Sequence, residues 1–160
     1  MLEYTVVATT FNDSKEIKEY LNSICNQTFP PKEIIIADGG SSDDTILVCT
    51  EFDAGEKTKI IVLNDGRLNI SQGYNLAISN TATEYVGVTG VGNFYEPDYF
   101  EKLLKYVPEY EVVYSPVRGY DVNKYSETYN RTFLNGDYGQ RISIATNHGV
   151  LLRKSIFDKL

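Results

Sequence analysis

The 160-residue sequence has no tryptophan, one methionine, one histidine and two cysteines. Two cysteines cannot build a disulfide framework or a thiolate metal cluster, so Cys25 and Cys49 are read as reduced thiols packed in a core. A lone histidine supplies no histidine pair for a zinc site. No run approaches the ~18 apolar residues of a membrane span. Met1-Leu2-Glu3-Tyr4 lacks the basic start of a signal peptide, and the expected compartment is the cytoplasm. Positive charge is short as well: 15 Lys+Arg stand against 22 Asp+Glu, a net charge of −7. An acidic surface repels phosphate backbones, which argues against nucleic acid as a general partner. What remains is ordinary: 42% apolar and 23% charged residues describe a globular chain. Its length suits one domain.

Short β-rich runs alternate with amphipathic stretches. Tyr4–Thr9 is the first strand, and Asn12, Asp13 and Ser14 offer helix N-caps. Ile17, Tyr20, Leu21, Ile24 and Cys25 then recur at helical spacing, and Pro30-Pro31 is expected to end that helix. Glu33–Asp38 is almost purely apolar, as in a parallel strand covered on both faces. Asp43 and Asp44 are expected to cap a helix burying Ile46, Leu47 and Phe52. Lys59–Leu63, a helix over 71–79, a strand over 84–89, a helix starting at Pro97 and a strand over 111–115 follow. The Tyr-rich stretch 116–147 has no period and reads as a long connection with room for a β-hairpin. Gly149–Leu152 is a last strand, and Arg153–Leu160 begins a helix that meets no cap. The chain is therefore expected to be cut from something longer. This alternation predicts one α/β domain with a mostly parallel sheet flanked by helices.

In open α/β sheets, ligands bind beyond the carboxyl ends of the strands. Three segments occupy those places: Thr9-Thr10-Phe11-Asn12, Asp38-Gly39-Gly40-Ser41-Ser42-Asp43 and Gly90-Val91-Gly92-Asn93. None is a GxGxxG fingerprint or a Gly-Lys-Ser/Thr loop, which disfavours dinucleotides and P-loop chemistry.

Several spaced blocks do carry a resemblance. Thr5–Asn12, Leu21-Asn-Ser-Ile-Cys-Asn-Gln-Thr-Phe-Pro30, Glu33–Thr45, Gly73–Tyr85, Tyr95–Leu103 and His148–Phe157 stand in one order. Together they resemble family 2 glycosyltransferases, less securely over 116–147. The resemblance implies a GT-A fold, a Rossmann-type sandwich. It implies a nucleotide-sugar-binding part over 1–115, the Tyr-rich connection over 116–147 and the start of an acceptor-side part over 148–160. It also implies transfer from a nucleotide-sugar, most simply a UDP-sugar, to a hydroxyl of a saccharide or lipid-linked saccharide. A lipid-linked acceptor would place the protein at the inner membrane face.

Carried over residue by residue, the resemblance puts Thr9, Thr10, Phe11 and Asn12 around the base and ribose. Asp38 would accept the imide N–H of the base. Asn75, Asn93 and His148 would face the donor, although Tyr74 stands where many members have arginine. After the fourth strand the family places Asp-x-Asp, which holds Mg²⁺ or Mn²⁺ against the donor diphosphate. Gly90, Val91 and Gly92 replace that motif, so weak or no metal binding of the family's kind is expected. Arg118, Arg131, Arg141 and Arg153 are the cations that could substitute for it. The catalytic base is expected beyond Leu160, and the isolated chain is expected not to turn over. The competing reading is a non-catalytic glycosyltransferase-like module that binds nucleotide or serves in assembly. A sugar nucleotidyltransferase is disfavoured because Thr9–Asn12 lacks its Gly-rich basic loop.

Overall fold

The computed structural model describes residues 2–114, 119–121, 126–129 and 149–159, with 119–121, 126–129 and 159 as backbone. Along the chain run β1 (Tyr4–Thr10), α1 (Ile17–Cys25), β2 (Glu33–Asp38), α2 (Thr45–Glu51), β3 (Lys59–Leu63), α3 (Ile70–Ser79) and β4 (Tyr85–Val88). Then come α4 (Tyr99–Leu104), β5 (Val112–Tyr114), β6 (Gly119–Asp121), β7 (Ser126–Tyr129), β8 (Val150–Arg153) and a 3₁₀ turn over Lys154–Lys159.

Six strands form one sheet in the order β3-β2-β1-β4-β8-β5. β3, β2, β1 and β4 are mutually parallel, while β8 runs antiparallel to both β4 and β5. The order reverses direction at β1, and α3 is the connection that makes the reversal. β6 and β7 pair antiparallel, which supplies the hairpin expected in the Tyr-rich stretch.

The pleat sorts the core into two layers. Tyr4, Val6, Ala8, Ile34 and Ile36 face α1, α2 and α4. Val7, Ile35, Ala37, Val86 and Val88 face α3, with Ile156 and Phe157 of the 3₁₀ turn against them. Helix α1 buries Ile17, Tyr20, Leu21 and Ile24, as the spacing requires.

Some local expectations are corrected. Helix α1 begins after Glu16 and has no side-chain cap, because the Asp13 carboxylate turns back to Thr10 and Phe11. It ends at Cys25, well before Pro30, where Asn26 N–H bonds back to the Asn22 carbonyl and Gln27 N–H to the Ile24 carbonyl. Helix α2 has the expected period but a shifted register. Thr45 and Cys49 are buried, Val48 and Phe52 pack beside them, and Leu47 is exposed. Helix α4 starts at Tyr99, because Glu96–Tyr99 first form a turn closed by Tyr99 N–H on the Glu96 carbonyl. The final segment is a 3₁₀ turn, and Arg153 still belongs to β8. Both cysteines are free, Cys49 buried and Cys25 half-buried, and burial raises each thiol to about 11.

Candidate functional site

Parallel register brings Thr10 of β1 opposite Asp38 of β2, so the two following loops leave the sheet side by side. Gly39 N–H donates to the Thr10 carbonyl at 2.8 Å and extends that contact past the strand ends. The start of α3 closes the third side. The result is an open cleft of about 220 Å³, lined by Thr9, Thr10, Phe11, Asp13, Gly39 and Gly73 together with Ala37 and Leu68–Ile70. Phe11 is 59% exposed and Ile70 64%, so two apolar faces border it.

Helix α3 can approach β1 because residue 73 is glycine. A Cβ there would lie 2.7 Å from Thr9 Cγ2. The helix also starts cleanly: Asn69 Oδ1 accepts from Gln72 N–H, and Gln72 Oε1 accepts from Asn69 N–H.

A polar network ties the loops after β1 and β2 together. Asp38 is fully buried, with Oδ2 accepting from Gly40 N–H and Ser41 N–H at 2.8 Å each. Its Oδ1 accepts from the Ser41 hydroxyl. The same hydroxyl oxygen accepts from Asn12 N–H at 2.8 Å, and Asn12 Oδ1 accepts from Ser42 N–H at 2.9 Å. Asn12 makes this latch from a left-handed backbone, φ +57°, a conformation asparagine tolerates better than most residues. Asp13 Oδ2 accepts from Thr10 Oγ1 at 2.8 Å and from Phe11 N–H at 3.1 Å, while Asp13 N–H donates to Thr45 Oγ1 at 2.8 Å. Asp43 accepts from Ser14 N–H and from Thr45 N–H and hydroxyl. The Thr45 hydroxyl bond is the main cause that holds the Asp43 carboxyl down to about 2.

The end of β4 is different. Thr89 is buried, bonds the Tyr20 hydroxyl at 2.6 Å, and donates its own hydroxyl to the Val7 carbonyl. The Tyr74 hydroxyl donates to the Thr89 carbonyl at 2.6 Å, which makes Tyr74 a packing residue rather than a ligand-facing one. Burial raises the Tyr20, Tyr74 and Tyr95 phenols, so this side is neutral at physiological pH. Gly90-Val91-Gly92-Asn93 then forms a tight turn. Asn93 N–H and Nδ2 both donate to the Gly90 carbonyl, and Gly92 takes φ +89°. No group of three or more His, Cys, Asp or Glu residues that could hold a metal occurs among the described residues.

The expected site residues therefore divide. Thr9, Thr10 and Phe11 converge on the cleft. Asn12 and Asp38 shape its loops from outside it. Asn75 is exposed on α3 and does not line the cleft, and the Asn93 amide folds onto its own turn. Arg153 is registered against Tyr85 at the start of β4, the end of the sheet away from the cleft. There it pairs with Glu84 and lies over the Tyr85 ring, away from the cleft. His148, Arg118, Arg131 and Arg141 lie outside the described residues. The sequence reading missed Asp13, Ala37, Leu68, Asn69, Ile70 and Gly73 as cleft residues. Asn69-x-x-Gln72 was a readable capping box, and a glycine inside a helix often marks close packing.

The model of glycosyl transferase family 2 matches residues 5–160. The chain belongs to that family. Among curated proteins this family 2 domain is 25% identical to the glycosyltransferase GlyA of Streptococcus pneumoniae, over 86% of the chain and 20% of that protein. It is 35% identical to the poly-β-1,6-N-acetyl-D-glucosamine synthase of Staphylococcus epidermidis, over 48% of the chain and 18% of that protein. Its fold is that of Staphylococcus aureus TarS, in the crystal structure of residues 1–349 with UDP-GlcNAc. There the TM-score is 0.72 at 17% identity, covering 99% of this chain and 47% of TarS 1–349. The mannosyltransferase PcManGT of Pyrobaculum calidifontis, crystallised with GDP-Man and Mn²⁺, matches with TM-score 0.63 at 22% identity, over 73% of this chain and 36% of that one. The chain thus spans a fifth to a half of the length of these proteins. This is the GT-A fold, six strands flanked by helices. Among the described residues, no helix is long and apolar enough to cross a membrane.

Proposed function

We propose that this domain binds the nucleotide end of a sugar donor, a UDP-sugar in the simplest case, in the cleft beyond β1 and β2. The observation that carries the reading is the cleft itself. It opens at the carboxyl ends of adjacent parallel strands, where open α/β sheets take their ligands, between an exposed aromatic ring and two threonines. Phe11 and Ile70 offer faces to a base, and Thr9 and Thr10 line the cleft beneath it. Asn12 and Asp38 support the site by holding the two loops.

In the proposed reaction an acceptor hydroxyl of a saccharide or lipid-linked saccharide attacks the anomeric carbon. The bond to the nucleoside diphosphate breaks and configuration inverts. A carboxylate from outside residues 1–160 takes the hydroxyl proton. Donor binding proceeds here without the family's acidic metal pair. The turn after β4 offers glycine, valine and one amide that is already folded onto a carbonyl, a poor set for a hard divalent cation. No step is assigned to a metal. The same neutral turn favours the second reading, a module that binds nucleotide and does not turn it over.

The test is titration of the protein with UDP, UDP-glucose and GDP, repeated with Phe11→Ala. Micromolar binding that weakens about tenfold in Phe11→Ala supports the cleft. Absence of nucleotide binding by the folded protein overturns it. Transfer to an acceptor by the whole protein then separates the enzyme from the binding module.

A further inference from the structure

Two carboxylates border the loops of the cleft, and they are not equivalent. Asp38 is fully buried, and both of its oxygens are occupied by Gly40 N–H, Ser41 N–H and the Ser41 hydroxyl. With no exposed surface, it cannot meet a ligand directly. Asp13 lines the cleft and is the sole ionisable side chain that does so among the described residues. Its backbone is fixed from both sides: its N–H is on Thr45 Oγ1, and its carbonyl accepts from Glu16 and Ile17 N–H. Its Oδ2 is held by Thr10 Oγ1 and Phe11 N–H. Among the described residues nothing bonds Oδ1. The cleft thus presents one preset anionic acceptor, next to the exposed Phe11 ring.

We infer that Asp13, not Asp38, reads the nucleobase of the donor. This rests on the nucleotide reading above. A carboxylate oxygen can only accept, so opposite the ring nitrogen of the pairing edge it selects a base whose ring nitrogen carries a hydrogen. Uracil N3–H and guanine N1–H satisfy it, whereas cytosine presents a lone pair at N3 and is repelled. Phe11 covers the base face while Asp13 reads the edge. A negative charge here also directs the diphosphate away, toward Gly73 and the start of α3. The Asp38 carboxylate acts at one remove, as a positioning residue that shapes the loop carrying Gly39.

The substitution Asp13→Asn separates these roles. The amide oxygen can keep the bonds to Thr10 and Phe11, and the amide nitrogen then faces the cleft as a donor. The expected result is a selectivity change: the wild type binds UDP at least tenfold better than CDP, and Asp13→Asn levels or reverses that ratio. N3-methyl-UDP tests the same bond without a mutation and should bind the wild type at least tenfold more weakly than UDP. Thermal melts of the variant show whether its fold is kept.

Equal affinity of the wild type for UDP and N3-methyl-UDP overturns the assignment. So does weaker binding of both UDP and CDP to Asp13→Asn at an unchanged ratio, which would place Asp13 on the ribose. A ratio that shifts with Asp38→Asn but not with Asp13→Asn returns the role to Asp38. If the wild type binds no nucleotide, the nucleotide reading fails and this assignment falls with it. If it binds UDP and CDP equally, the nucleotide reading stands and only the assignment to Asp13 falls.

Discussion

The loops beyond β1 and β2 and the turn beyond β4 leave the same edge of the same sheet, yet they are built in opposite ways. The first pair is knit by side chains: Asn12, Asp13, Asp38, Ser41, Asp43 and Thr45 all bond across or along the loops. The second is closed by its own backbone and one amide, with glycine at two of four positions. Asp38 and Thr45 are the buried members and both are paired, and the bonds of Asn12 and Asp43 fix the loops at the surface. A short neutral turn needs only to reverse the chain. On the proposed reading, the side meant for the nucleoside is the one knit by side chains, while the turn Gly90–Asn93 carries no charged side chain.

Removing Asp38 should break the contrast most severely. Asp38→Ala leaves Gly40 N–H, Ser41 N–H and the Ser41 hydroxyl without their buried acceptor. A loss of about 3 kcal/mol is expected in urea unfolding, with nucleotide binding abolished. A loss under 1 kcal/mol would mean that water replaces the carboxylate and that the loop is not built around it.

Gly73→Ala comes next. The new methyl group meets Thr9 Cγ2 at 2.7 Å and pushes α3 off β1, costing about 1–3 kcal/mol and roughly tenfold in nucleotide affinity. Thr9→Ser in the same chain removes that methyl and should restore most of the loss. Failure of the rescue would show that the helix contacts the strand elsewhere.

Acid should loosen the knitted half first. Asp43 is held at about 2 against an ordinary 3.8, so the ionised form is the one the fold favours. Its contribution is complete above pH 4 and disappears as pH falls toward 2. Asp43→Asn should therefore lower stability at pH 7 and flatten its fall over that window, the variant converging on the wild type near pH 2. An unchanged acid profile would assign the loss to other carboxylates.

The smallest effect is expected at the β4 turn. Gly92→Ala places a methyl group at φ +89° with open space around it, so only backbone strain is added, about 1 kcal/mol. Nucleotide affinity should not change. A large loss of affinity would show that the turn touches the ligand.

The sheet was legible because its strands are short apolar runs and its helices carry one stripe each. The buried stripe of helix α1 was legible in Ile17, Tyr20, Leu21 and Ile24, but its start was not, because Asp13 bonds back to Thr10 and Phe11 instead of capping it. Helix α2 was legible in period and not in register, because Ile46 and Leu47 look more apolar than Thr45, which is nevertheless buried by its bonds to Asp13 and Asp43. The cleft was half legible. Thr9, Thr10 and Phe11 follow from strand position and family resemblance. Asp38, at the end of β2, was given a ligand role by the same resemblance, and Asp13 was read as a helix cap. Only the three-dimensional bonding separates the one that is enclosed from the one that faces the cleft. Gly73 looks like a weak helix residue until Thr9 is found against it.

The central claim is that the knitted loops bind a nucleotide without help from the turn after β4. Calorimetric titration of UDP with and without Mn²⁺ tests it most directly. The account predicts the same affinity in both, lost in Asp38→Ala. Binding that requires Mn²⁺ would contradict it, because a metal-held diphosphate would then be doing the work assigned to the nucleoside cleft.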